Sequence, residues 1–414
     1  MSCHRAMDRP LRILHITERL WPPGGAERLL ADTAAGLAAQ GHHSLTLVAE
    51  DSEPGPDAAM PVLRWPRVLG PRPAWRLRPR LDALLQQCQP DLVHLHNTAG
   101  FFSPVLIAHL HRRLPVLRYV HDARLACLRS PSKCLPGGGL CPHAMGLPCL
   151  ARCYPVTSPG GHRLGDKHTL MAFADLWVTR RLPAVAVGSA YMRMLLRQNG
   201  VADHRLHLLP GFTQREGPRC PPQHGLLLAI GRFDGIKGLE GLPDLLARLR
   251  APHWQAVLVG DGPNLADTQA RAQALGLAGR IRFVGRLEAD ALTPWLTACQ
   301  LLLCPTQVPE AFGLVGIEAL AHGRPVVAYD LGGVREWLQP HRTGVLVPAG
   351  DAAAFAAAVD GLLAEPELAA SLGAHGRALV SHRFRPQHHL QPLLNLYRQL
   401  AGQRAGTADE RIPG

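Results

Sequence analysis

Leu226-Leu-Leu-Ala-Ile-Gly-Arg-Phe-Asp-Gly-Ile-Lys-Gly238 runs from five apolar residues directly into a loop holding three glycines and two cations. A short apolar run bounded by glycine reads as a strand buried on both faces, as in a parallel sheet. The pattern repeats downstream at Ala256–Val259, Ile281–Val284, Leu301–Cys304 and Pro325–Ala328, with helical segments between the runs. Upstream, Leu11–Ile16, Ser44–Ala49, Asp91–His96, Val116–Val120 and Val185–Gly188 carry the same grammar. Helices are predicted over 26–40, closed by Gly41, over 103–113, and after Ser189 as N-cap. Strands alternating with helices predict parallel sheets with crossover connections, hence an α/β chain of two Rossmann-like, doubly wound domains facing each other across a cleft.

The expected boundaries are an N-terminal Rossmann-like domain over 1–217 and a C-terminal Rossmann-like domain over 218–385, joined by the stiff Pro218–Gln223. A terminal helix over 386–402 is expected to pack back on the first domain, followed by a disordered tail over 403–414. At 414 residues the chain is too long for one ordinary core, and 47% hydrophobic with 18% charged residues is globular composition. Aromatics at 5%, and the absence of any helix-turn-helix, zinc-finger or RNA-recognition pattern, weigh against a nucleic-acid partner. No apolar run approaches the roughly 20 residues of a membrane span, and Arg12, His15 and Glu18 break the N-terminal run, so a cytoplasmic protein is expected.

Charge is unevenly placed. Residues 1–215 hold 26 Lys+Arg against 14 Asp+Glu, while residues 216–414 hold 18 against 18, so the whole +12 lies in the first half. Such asymmetry suits an acidic surface or substrate, an anionic membrane before a nucleic acid, with general arginine bias as the plain alternative, since only Lys133, Lys167 and Lys237 are lysine. Arg64, Arg67, Arg72, Arg76, Arg78 and Arg80, interleaved with Trp65 and Trp75, fit peripheral contact with the inner face of a plasma membrane or a solvated loop equally.

The strongest chemical signal is Glu310-Ala-Phe-Gly-Leu-Val-Gly-Ile-Glu318, in which two carboxylates bracket a glycine-bearing loop entering a helix over about 316–322. N–H groups of Phe312, Gly313 and Leu314 would favour an anion, and the carboxylates could accept from sugar or ribose hydroxyls. Arg232 and Lys237 would supply a diphosphate clamp at a strand's carboxyl end.

Together these pieces resemble the family-four group of retaining, nucleotide-sugar-dependent glycosyltransferases (glycosyl transferases group 1) with the GT-B fold. Pro23-Gly-Gly-Ala-Glu27, Asp91-Leu-Val-His-Leu-His-Asn97, His121-Asp122, Val259-Gly-Asp-Gly-Pro263, Arg282-Phe-Val-Gly-Arg286, Gly323-Arg-Pro-Val-Val327 and Gly332-Gly333 extend the resemblance over nearly the whole chain. The resemblance implies that Arg232 and Lys237 bind the donor diphosphate, Glu318 the ribose and Glu310 the transferred sugar. It implies that Phe312, Gly313 and Leu314 meet phosphate or sugar through backbone, and that Val284, Gly285 and Arg286 hold the base. Gly24 and Gly25 would let the first-domain loop approach the diphosphate, and His121 would lie over the donor sugar. It further implies a hexosyl-type transferase building a bacterial surface polysaccharide or glycolipid from a nucleotide-diphosphate sugar, onto a glycan or lipid-linked acceptor. Retention by front-face attack needs no separate base, and no Asp-x-Asp occurs, so no catalytic metal or cofactor is expected. The weighed alternatives are a nucleotide-sugar epimerase and a metal- or membrane-binding protein on an inactive scaffold.

Five of the ten cysteines, Cys127, Cys134, Cys141, Cys149 and Cys153, fall within an expected insert over 124–160. There is no Cys-x-x-Cys knuckle; Cys134, Cys141, Cys149 and Cys153, with His143 nearby, could gather around a structural zinc or remain reduced. With Arg124, Arg129, Lys133 and Arg152 the insert could steer a lipid-phosphate acceptor.

Overall fold

The computed structural model describes residues 9–21, 24–53, 60–68, 71–128, 133, 135, 140–153 and 169–409. The chain divides into two compact units, Met1–Pro210 with Pro386–Gly414, and Gly211–Arg385.

Among the described residues the first unit holds seven strands: β1 (Arg12–Ile16), β2 (His43–Ala49), β3 (Val62–Trp65), β4 (Leu92–Leu95), β5 (Val116–Val120), β6 (Ala184–Val187) and β7 (Leu206–Leu208). They form one sheet in the order β3-β2-β1-β4-β5-β6-β7, every pairing parallel. Because strand side chains alternate, Leu14, Ile16, Val93 and Leu95 fill the core on one face. The intervening His15 and His94 are also fully buried, so this sheet hides imidazoles where a parallel sheet ordinarily hides aliphatics. The helix Gly25–Ala38 ends ahead of Gly41 in the left-handed region at φ 81°. Ser189 caps the helix Ala190–Gln198, its hydroxyl accepting from the Met192 N–H at 3.2 Å.

The second unit holds six: β8 (Leu226–Ile230), β9 (Gln255–Val259), β10 (Ile281–Phe283), β11 (Leu301–Cys304), β12 (Val326–Tyr329) and β13 (Gly344–Val347), in the parallel order β10-β9-β8-β11-β12-β13. Both of its faces are apolar, with Leu227, Leu303 and Val327 in one cluster and Leu228, Leu302 and Val326 in the other.

Several expectations are corrected. The division falls between Pro210 and Gly211 rather than at 217/218, and Pro218–Gln223 belongs to the second unit. Arg377 donates to the Gly217 carbonyl at 2.7 Å and Arg324 to the Cys220 carbonyl at 2.9 Å, fastening that segment down. The terminal helix runs Pro386–Asp409, beyond residue 402 and into the stretch expected to be a disordered tail; residues 410–414 lie outside the described residues. This helix belongs to the first unit and lies so close to the helix Gly25–Ala38 that a Cβ on Gly36 would come within 2.4 Å of Leu390. The helix after Glu310 spans Leu314–Ala321, starting two residues early because Gly313, at φ 91°, makes the turn. β3, β7 and β13 have no strong sequence signature: Arg64 interrupts the first, the second has three residues, and glycine opens the third.

Candidate functional site

The candidate residues of the second unit stand on loops beyond the carboxyl ends of its strands. The loop after β8 is stitched by backbone to the loop after β9, with Gly231 N–H donating to Val259 O at 3.0 Å and Phe233 N–H to Asp261 O at 2.8 Å. The β9 loop is bound in turn to the β10 loop, Gly260 N–H donating to Gly285 O at 2.8 Å. A Cβ on Gly260 would stand 1.7 Å from the Gly231 carbonyl oxygen, so the platform tolerates only glycine there. Val284 N–H donates to Leu258 O at 3.1 Å, while the Arg286 guanidinium lies 3.9 Å from Glu288. One backbone-bonded platform therefore carries Arg232, Lys237, Val284, Gly285 and Arg286.

Lys237 and Glu310 come together. The ammonium lies 2.6 Å from Glu310 Oε1, which also accepts from the Thr306 hydroxyl at 3.1 Å. Gly238, at φ 72°, brings the lysine loop against the β11 loop; a Cβ there would sit 2.1 Å from Pro305 O. The Glu310 carbonyl accepts from Gly333 N–H at 2.6 Å, fixing the backbone beneath the carboxylate. Trp337 donates its indole N–H to Phe312 O at 2.6 Å, and its ring lies against Gly316. These contacts hold Phe312, Gly313 and Leu314 at the helix N-terminus, where backbone N–H groups favour an anion.

Other expected residues stand apart. Arg232 is 57% exposed and pairs with Asp234 at 2.6 Å. Glu318 is inside the unit, 3% exposed, with the Arg215 guanidinium 3.8 Å away. Thr306 and Arg215 escaped the sequence reading. Thr306 lies two residues beyond β11, a position where any polar residue merits inspection; nothing local marks Arg215.

In the first unit, Gly24 and Gly25 form the start of the helix after β1, and the Glu27 carboxylate accepts from Gly24 N–H at 2.8 Å. Pro22 and Pro23 lie outside the described residues. His121 follows β5, stacked on Tyr119 with ring centres 4.5 Å apart. It does not stand alone. His121 Nε2 lies 2.9 Å from His96 Nδ1, His96 Nε2 3.2 Å from His15 Nδ1, and His15 Nε2 3.3 Å from the Ser44 hydroxyl. Burial pulls His15 down to about 3 and His121 to about 4, and holds His94 and His96 well below the usual histidine range. Of the histidines in this row, the sequence reading gave a site role to His121 alone. The missed signal is three histidines, at 15, 94 and 96, interrupting otherwise apolar strand runs with period two.

Of the insert, residues 129–132, 134, 136–139 and 154–160 lie outside the described residues, Arg129 and Cys134 among them. Cys153 is buried and Cys141 and Cys149 are partly so. Among the described residues the cluster able to offer three metal ligands is His15, His94 and His96, not these cysteines. Lys133, at φ 50°, turns its ammonium onto the His143 carbonyl, 3.9 Å from Cys141 Sγ.

A cation, a carboxylate and a helix N-terminus thus stand together at the carboxyl end of a parallel sheet, an arrangement whose chemistry suits phosphate and hydroxyl groups. The family described as Glycosyl transferases group 1 matches residues 212–403, and Glycosyltransferase Family 4 matches residues 23–214. The chain belongs to the family-four glycosyltransferases. D-inositol 3-phosphate glycosyltransferase 2 of Catenulispora acidiphila is 35% identical over 170 residues, covering 38% of this chain and 40% of that protein. The chain spans less than half the length of the first curated relatives it matches. Sucrose-phosphate synthase of Thermosynechococcus elongatus superimposes with TM-score 0.72 at 23% identity, over 95% of this chain and 100% of that one. HepE of Anabaena, solved in complex with UDP and glucose, does so with TM-score 0.70 at 20% identity, over 94% of this chain and 100% of that one. The fold is thus of the GT-B type, two α/β units each built on a parallel sheet.

Proposed function

We propose that this protein is a retaining, hexosyl-type glycosyltransferase using a nucleotide-diphosphate sugar, with a polysaccharide or lipid-linked acceptor of bacterial surface glycan synthesis. The observation that carries the reading is Lys237 Nζ at 2.6 Å from Glu310 Oε1, on loops beyond the adjacent strands β8 and β11 and beside a helix N-terminus. Transfer separates a sugar carbocation from a departing diphosphate. Lys237 and Arg232 neutralise the growing phosphate charge, aided by the N–H groups at Phe312, Gly313 and Leu314. Released by the arriving phosphate, Lys237 leaves the Glu310 carboxylate to accept from sugar hydroxyls, with Thr306 keeping it in place. Glu318 takes the ribose and the Val284–Arg286 backbone takes the base. His121, uncharged, hydrogen-bonds the donor sugar.

No cofactor is required by this scheme; a zinc held by Cys134, Cys141, Cys149 and Cys153 would be structural. Peripheral contact with an anionic membrane is part of the proposal, supported by Trp75 at 62% exposure with the Arg78 guanidinium 3.5 Å over its ring. Among the described residues no helix is long and apolar enough to cross a membrane. A thermal-shift screen with UDP, GDP, ADP and their sugar conjugates, without added metal, tests the donor site. Ligand at about 100 times its dissociation constant adds roughly 2.7 kcal/mol of stability. A shift with one nucleotide identifies the base, and no shift with any of them in folded protein overturns the nucleotide-sugar reading.

A further inference from the structure

Three imidazoles meet inside the first unit for a reason visible in the register. β1 and β4 are parallel neighbours with His15 beside His94, and period two places His94 and His96 on one face. Each of the three side chains brings one ligand nitrogen within 4.8 Å of the others'. The nearest pair, His15 Nδ1 and His96 Nε2, is 3.2 Å apart. Two nitrogens about 2.05 Å from a tetrahedral zinc stand roughly 3.3 Å from each other.

Two further observations point to a ligand. His94 engages the Tyr397 hydroxyl through Nδ1 at 2.6 Å, while its Nε2 has no hydrogen-bond partner although the residue is 1% exposed. A buried polar nitrogen left unmatched is costly, and its presence among two other imidazoles calls for an explanation. The opposite nitrogen of every ring is also taken: His15 Nε2 by the Ser44 hydroxyl, His94 Nδ1 by Tyr397 and His96 Nδ1 by His121 Nε2. Outward hydrogen bonds of this kind orient metal-bound histidines and leave the inward lone pair for the cation.

We propose that His15 Nδ1, His94 Nε2 and His96 Nε2 form a site for a divalent transition-metal cation of the zinc class. Neutral imidazole is the donor such cations select, and no carboxylate is needed for three-nitrogen binding. The site is distinct from the cysteine insert. It also fixes a proton: with His96 Nδ1–H donating outward, His121 Nε2 must accept, so His121 carries its hydrogen on Nδ1. That last consequence alone bears on the proposed sugar-binding role of His121.

The test uses the full-length chain, stripped of metal and titrated with Co²⁺ and Zn²⁺. Expected are an equivalent of Co²⁺ with the intense visible bands of low-coordinate, nitrogen-ligated cobalt, lost in His94→Gln and separate from any sulfur-to-metal charge-transfer band of the cysteine insert, and displacement by Zn²⁺. His94→Gln should weaken binding at least tenfold. If that variant does not fold, Ser44→Ala decides, because loss of an outer partner should weaken affinity about tenfold. No uptake, a sulfur charge-transfer band as the only signal, or unchanged Co²⁺ affinity in folded His94→Gln or in Ser44→Ala would overturn the site. In that case the histidines form only a hydrogen-bonded row. None of these readings depends on transferase activity, so they stand or fall separately from the proposed function.

Discussion

In the second unit the candidate functional groups stand beyond the strands, on loops; in the first, most of them stand within or directly after the strands. Lys237 and Glu310 form a part-buried ion pair, their side chains 34% and 17% exposed, beside the buried Thr306. A pair of that kind, carried on loops and still reached by water on the lysine side, can exchange partners when an anion arrives. His15 and His94 are strand residues at 0% and 1% exposure, and His96 follows directly at 5%. They cannot reorient without moving the sheet. The proposed donor site thus rests on loop contacts that can rearrange and the proposed metal site on strand residues that stay put, and the two should fail differently.

The largest expected difference concerns turnover. Lys237→Ala removes the charge proposed to meet the leaving phosphate, so kcat should fall by about 10²–10³-fold while the unfolding midpoint barely moves. Near-normal transfer in a sugar-transfer assay would remove Lys237 from the chemistry and with it half of the contrast.

Acid should act the other way, on the first unit's stability. His15 and His389 are held neutral by burial, at about 3 and about 4 in the folded chain against an ordinary 6.5. Below pH 6.5 the unfolded chain binds protons that the folded one refuses. Their contribution is therefore complete above pH 6.5 and is lost as pH falls toward 4, at up to about 1.4 kcal/mol per pH unit for each histidine. Denaturant unfolding at pH 7 and pH 5 measures this; equal stability at both would mean that the row is not neutral or not buried.

Packing beside the second site offers a smaller effect. Gly316 lies in a helix, where alanine is intrinsically better, yet a Cβ there would stand 2.2 Å from the Trp337 ring. Gly316→Ala should destabilise by about 1–3 kcal/mol in thermal unfolding, and a stabilised variant would show that Trp337 gives way easily. The smallest effect is expected in the first unit, where Ser189→Ala removes an N-cap and should cost about 1 kcal/mol in the same measurement.

The fold was legible where burial on both faces writes a continuous apolar run. Leu226–Ile230 and Leu301–Cys304 begin and end where the sequence reading placed them, because Gly225 and Gly231 bound the first and Gln300 and Pro305 the second. Edge and short strands such as β7 carry too little apolar sequence to announce themselves. Lys237 drew notice through composition, as one of three lysines in an arginine-rich chain. The association of His15 with His96 depends on an offset of 81 residues that only strand register creates, and Arg215 reaches Glu318 across the second unit in the same way. Local patterns name the elements; pairings between distant elements require the topology.

The terminal helix has a consequence for biosynthesis. Tyr397 meets His94 across 303 residues, and the whole of Gly211–Arg385 lies between the two parts of the first unit. The ribosome therefore completes the second unit before it releases the helix that finishes the first. Closing so long an interval adds little entropy cost, since each doubling of chain length adds only about 0.6 kcal/mol. It does impose an order: the nascent first sheet waits, with the Gly36 surface uncovered, until Leu390 emerges. A premature stop or a proteolytic nick near residue 386 would spare the unit just upstream of it and injure the one at the opposite end of the gene.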